Sequence, residues 1–121
     1  MTGNLQQGRS VREVLVEARG LVERGWHQSS LTDGCGNYCL RAAISLAAGS
    51  FTDVHGRVGY LPYKTDGSTH AAYILDLDSQ LLVRAFLPEG YQSIPVFNDD
   101  LETTQNDVLG VLDKAIASVA L

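Results

Sequence analysis

The sequence predicts a mainly α fold, a small single domain of about four helices with one long glycine-containing loop. Three observations carry that expectation. Apolar residues recur at helical spacing near both ends of the chain, an alanine-rich run sits between them, and 121 residues suit one core, since a chain of this size can bury roughly two thirds of its unfolded surface. Residues 1–9 are polar and read as a flexible tail, leaving 10–121 as the globular domain.

The first helix begins behind Ser10. Ser10-Val11-Arg12-Glu13 has the form of a capping box, in which the Ser10 hydroxyl and the Glu13 carboxylate satisfy amides left open at the helix start. Val11, Val14, Leu15, Ala18, Leu21 and Val22 then share one face, and Gly25 is expected to stop the helix in a left-handed conformation. After the turn-rich stretch WHQSSLTDGCGNYC, residues 38–48 (YCLRAAISLAA) favour helix by propensity, with Gly49 as its stop. Residues 49–69 form the long loop, which is functional, mobile or hiding a short element.

Residues 70–87 are ambiguous on pattern alone, because alternation at 73–78 suits a hairpin while Ala71, Ile74, Leu75, Leu81, Leu82 and Phe86 suit a helix. YQSIPVF, at 91–97, is read as extended, since a residue before proline avoids the helical region. The final helix starts at Thr104, whose capping box uses Asp107. Its apolar face is Val108, Leu109, Val111, Leu112, Ala115, Ile116 and Val119.

Composition removes several functions. The formal charge of −5 and a pI near 4.9 oppose nucleic-acid binding, which needs clustered cations. Only Lys64 and Lys114 accompany seven scattered arginines. A mean hydropathy of −0.02 and the lack of a long apolar run argue against a membrane span. MTGNLQQGRS lacks the features of a targeting peptide, so a cytoplasmic location is expected.

The stretch FNDDLETT at 97–104 holds the densest polar cluster. Asn98 and Asp99 would set the turn before the last helix, while Asp100 and Glu102 are surplus and expected to be solvated. Trp26 follows the first helix, and its indole N–H would seek a buried partner in Asn98 or Asp99. Asp76 and Asp78 lie on different helical faces and are expected at the surface. Cys35 and Cys39 are too few for a disulfide scaffold. Cys39 with His70 sketches only a weak Cys–His pair, which lacks an oxyanion hole and an orienting group, and Cys35 and Cys39 with His27, His55 or His70 only a weak metal site at irregular spacing. No catalytic residue, cofactor or metal is therefore predicted, and the binding candidates are Trp26, His27, Arg57, Asn98 and Asp99.

These motifs together resemble a family of small uncharacterised proteins of actinobacteria and their bacteriophages, a domain of unknown function. The resemblance rests on Gly25-Trp26, on Cys39 with Ala42 and Ala43, and on a [WF]-N-D-x4-T-x3-V pattern. Phe97, Asn98, Asp99, Thr104 and Val108 fill that pattern, with Phe97 where Trp is common. It spans residues 11–119 and implies that 70–87 is helical, but it brings no activity. The expectation is a non-enzymatic binding protein, an accessory product acting on a host or defence component, with a protein or small ligand as partner. The alternatives are a nucleotide-type ligand held by Trp26, Arg57 and Asn98, or a Cys–His or metal protein. Small-residue helix faces would also suit a homo-oligomer.

Overall fold

The computed structural model describes residues 9–54, 57–60 and 68–119, the side chains of 52–69 excepted. The elements run α1 (Val11–Arg24), α2 (Leu40–Ala48), β1 (Phe51–Val54), β2 (Arg57–Tyr60), α3 (Ser68–Arg84), α4 (Ile94–Asp99) and α5 (Gln105–Ser118). The fold is mainly helical, as expected, but among the described residues the helices number five and the long loop contains a hairpin. β1 and β2 pair antiparallel, Phe51 opposite Tyr60 and Val54 opposite Arg57. No helix among the described residues is long and apolar enough to cross a membrane.

Both capping boxes form. Ser10 Oγ accepts the Glu13 N–H while Glu13 accepts the Ser10 N–H; Thr104 and Asp107 repeat the exchange at α5. Arg9 joins this start to the bundle, donating to the Ala47 carbonyl at the end of α2 and pairing with Glu17 at 2.6 Å. Residues 1–8 of the expected tail lie outside the described residues.

α1 packs between α2 and α5, and α2 also meets α3 and α4. The core joins Val14, Leu15, Ala18 and Val22 of α1 to Leu40, Ala43, Ile44 and Ala47 of α2, with Val83, Phe97, Val108 and Leu112 closing it. Alanines at 42, 43, 47 and 48 are buried, so the middle helix can be approached from several sides. Gln105 extends from α5 to the Val22 carbonyl at 2.7 Å, closing an open acceptor near the end of α1.

Three expectations change. Residues 94–99 are helical, not extended: Ser93 caps the helix through Val96 N–H, and Pro95 falls in its first turn, where a missing N–H costs no helical bond. Asp76 is not at the surface but 2% exposed. Its carboxylate accepts Ser45 Oγ at 2.8 Å, Ser50 Oγ at 2.6 Å and Gln80 Nε2 at 2.6 Å, a polar tie between α2 and α3. Gly25 ends α1 with φ 178°, which any residue adopts, whereas Gly49 does take the left-handed conformation at φ 87°.

Gly25 is required for space. A Cβ there would lie 1.8 Å from Asn37 Oδ1, so the Asn37 side chain would have to turn away and give up its hydrogen bond to Asp33. Gly25→Ala is expected to lower stability by about 1–3 kcal/mol through overpacking. In an Asn37→Ala background the same change should cost much less, and a denaturant double-mutant cycle reads the difference. Thr104→Ala should cost about 1 kcal/mol through loss of the α5 cap, and an unchanged midpoint would refute that role.

Candidate functional site

The 25–39 loop is held by its own backbone before any side chain acts on it. Tyr38 N–H donates to the Gly25 carbonyl and His27 N–H to the Tyr38 carbonyl, and Cys39 N–H reaches the Leu31 carbonyl at 3.0 Å. At the tip, Asp33 accepts the Cys35 N–H at 2.8 Å and the Asn37 side chain at 2.5 Å. Those bonds, the Asn37 amide first, hold the Asp33 carboxyl below the usual carboxylate range.

Asn98, at the end of α4, is 1% exposed and reaches this loop from the other side. Its Oδ1 accepts the Trp26 indole N–H at 2.6 Å and the Leu40 N–H at 3.0 Å. Its Nδ2 donates to the His27 carbonyl at 3.1 Å and to Asp99 Oδ1 at 2.9 Å. A carboxamide offers two acceptor and two donor positions, and all four are used. Gln28 Nε2 bridges the Asn98 and Asp100 carbonyls, and Asp99 Oδ1 accepts the Ser29 N–H at 2.9 Å. The predicted Trp26–Asn98 contact is therefore present, and Asn98 and Asp99 lie at the end of a helix rather than in a free turn.

His27 contributes chiefly through its backbone, while its Nε2 lies 2.7 Å from Ser30 Oγ. The same hydroxyl lies 3.1 Å from the Thr32 carbonyl. Arg57 lies in β2, its side chain outside the described residues. Gln28, Ser29 and the Leu40 N–H were not predicted. Gln28 and Ser29 carry no sequence signal beyond polarity, and a backbone N–H carries none.

A hollow of about 160 Å³ opens beside the network, lined by Ser29, Ser30, Leu31, Cys39, Arg41, Pro95, Asn98 and Asp99. It is well below the roughly 300–1,000 Å³ of small-molecule pockets. Arg41 stacks over the Phe51 ring at 5.6 Å. Cys39 is the N-cap of α2, where Sγ accepts the Ala42 N–H at 3.3 Å. Burial pushes its thiol pKa up, which favours a neutral sulfur over a thiolate nucleophile. Cys35 is exposed on the turn, and His70 lies exposed near the start of α3. Among the described residues no three His, Cys, Asp or Glu side chains group as metal ligands.

Asp100, expected to be merely solvated, organises the turn after α4. Its Oδ1 accepts the Glu102 N–H at 2.8 Å and its Oδ2 the Tyr91 hydroxyl at 2.9 Å, and Thr103 N–H returns to its carbonyl. The Glu102 amide and then the Tyr91 phenol hold the Asp100 carboxyl below its ordinary value. A depressed folded pKa means that this stabilisation is present above about pH 4, the unfolded value. It is lost as pH falls through the lower folded value.

Fold and site define a small α domain organised around a saturated polar latch. The chain belongs to a family of unknown function (DUF6197), whose model matches residues 6–118. No curated protein and no solved structure matches it.

Asn98→Ala would strand the indole and the Leu40 N–H, each unsatisfied donor costing roughly 1–3 kcal/mol. A loss of about 2–4 kcal/mol by denaturant unfolding is the expected outcome, against about 1 kcal/mol for Trp26→Phe at the hydrogen bond alone. Asn98→Asp keeps the acceptor but places a second carboxylate against Asp99. Its folded pKa should rise, so its deficit relative to wild type should grow as pH increases from 3 to 7.

Proposed function

We propose that the chain is a non-enzymatic binding protein that docks another protein. The observation behind this reading is an apolar face on α3 and α4: Leu77 is 57%, Leu81 60% and Val96 59% exposed, with Ile74 also exposed on α3. Between the helices runs a cleft of about 350 Å³ lined by Leu77, Gln80, Leu81, Arg84, Gln92, Ser93, Ile94 and Pro95. Grooves between helices accept apolar anchors from a partner surface. Arg84 is the one charged residue in this lining, so the fitting surface presents an apolar side chain beside a carboxylate.

The latch supports the same reading from the other direction. Trp26 and Asn98 bind each other rather than framing a nucleotide-sized space, and Cys39 is a buried helix cap. The finer setting, an actinobacterial or phage accessory protein acting in the cytoplasm on a host or defence component, draws on the sequence resemblance and the acidic composition.

The test compares tagged wild type with Leu81→Glu in a pull-down from actinobacterial lysate. Leu81 is exposed, so the variant should keep its melting temperature and yet lose a partner that the wild type retains. Partners indifferent to Leu81→Glu, or none, would refute the reading of this face.

A further inference from the structure

Two surface features remain after the fold and latch are accounted for. One is a knob: Leu101 is 95% exposed although its turn is fixed on both sides. Asp100 accepts the Glu102 N–H and the Tyr91 hydroxyl, Gln28 holds the Asp100 carbonyl, and Tyr91 sits edge-on to the buried Phe97 with ring centroids 5.3 Å apart. A turn whose backbone is fixed before contact loses little backbone freedom on binding, which favours the side chain it presents as an interface anchor. The other feature is the apolar cleft between α3 and α4.

Knob and cleft sit at opposite ends of α4. The cleft takes in residues 92–95 at its start, and Leu101 follows its last residue by two. Six helical residues span about 9 Å, so two α4 helices laid antiparallel would bring each knob over the other copy's cleft. In that register a two-fold axis passes beside exposed Val96, and position 101 of one copy lies opposite 92 of the other.

Charge supports the same pairing. Arg84 Nε donates to the Gln92 carbonyl at 3.0 Å, which holds the guanidinium at that end of the cleft, and no acid pairs with it among the described residues. Glu102 is exposed beside the knob and is likewise without an ion-pair partner among them. We infer that a second copy of this chain occupies the α3–α4 cleft: Leu101 inserts against Leu77, Leu81 and Pro95, and Glu102 meets Arg84, reciprocally about a two-fold axis. This rests on reading the face as a protein interface. It goes further by naming the occupant and the residues that fit it, and a contact made twice by the same patch closes into a dimer rather than a filament.

The experiment is sedimentation velocity on the purified full chain over a concentration series reaching tens of micromolar. The wild type should sediment as a dimer. Leu101→Ser, at a position too exposed to affect folding, should sediment as a monomer. Arg84→Glu and Glu102→Arg should each raise the dissociation constant at least tenfold, and the double charge swap should recover most of the loss, which a folding defect in either single variant would not do. A wild-type monomer throughout the series overturns the inference, as does a dimer indifferent to Leu101→Ser or a swap that fails to recover. If the wild type is monomeric while a foreign protein is captured in a Leu81-dependent way, the face belongs to that partner: the self-pairing falls and the protein-binding reading stands. A Leu101-dependent dimer with no foreign partner leaves the self-pairing standing and removes the host-directed reading.

Discussion

The constraint on which the rest depends is the burial of one carboxamide. A side chain as polar as Asn98 inside a small core is tolerable only when each of its hydrogen-bonding positions is filled. Filling them requires the indole of Trp26, the carbonyl of His27 and the first free N–H of α2 to converge on the end of α4. Trp26 and His27 are adjacent and Leu40 starts the next helix, so satisfying Asn98 sets the path of the 25–39 loop, the start of α2 and the position of α4 together. A purely apolar contact at the same place would leave register freer, because dispersion and burial are not directional.

The Asp76 cluster applies the same logic to the far side of α2. Ser45 and Ser50 flank the end of an alanine-rich helix whose smooth surface gives little purchase for a unique register. Donation to a carboxylate of α3 supplies the missing specificity, at the expense of burying a polar group that an apolar residue of similar size would avoid. α2 is thus pinned by an amide at its first turn and by a carboxylate at its last. Between these points its alanines can serve close packing alone.

Much of this was legible in the residues, and the misses have physical causes. The capping boxes at Ser10 and Thr104 use local, fixed spacings, so sequence order gives their geometry directly. The Trp26–Asn98 pairing was readable because an indole N–H near the core has few sites where it can be satisfied. The α4 helix runs against the rule for a residue preceding proline because Ser93 caps it and a first-turn proline is compatible with helix. The burial of Asp76 is not legible because its serine partners lie 26 and 31 residues away, beyond any spacing rule, and only Gln80 is local. Gly25 was expected for its conformational freedom; the structure shows instead a lack of room beneath Asn37, a tertiary contact that the local pattern does not encode.

These points separate the Phe-Asn-Asp pattern at 97–108 from the surface on which function is proposed. Phe97 is core, Asn98 is the latch, Asp99 holds the Ser29 amide, Thr104 caps α5 and Val108 is core again, so each residue of the Phe-Asn-Asp pattern has a complete structural role. The family matched over residues 6–118 is one of unknown function, and a shared architecture carries no activity with it. The residues on which the interface is proposed, Leu77, Leu81, Arg84, Val96, Leu101 and Glu102, all fall outside the positions of the Phe-Asn-Asp pattern. They nevertheless gather at the two ends of α4, the helix whose far end bears Asn98. The latch therefore does for the surface what it does for the core: by fixing α4, it fixes the spacing between the cleft and the Leu101 knob, and a partner that reads one can read the other.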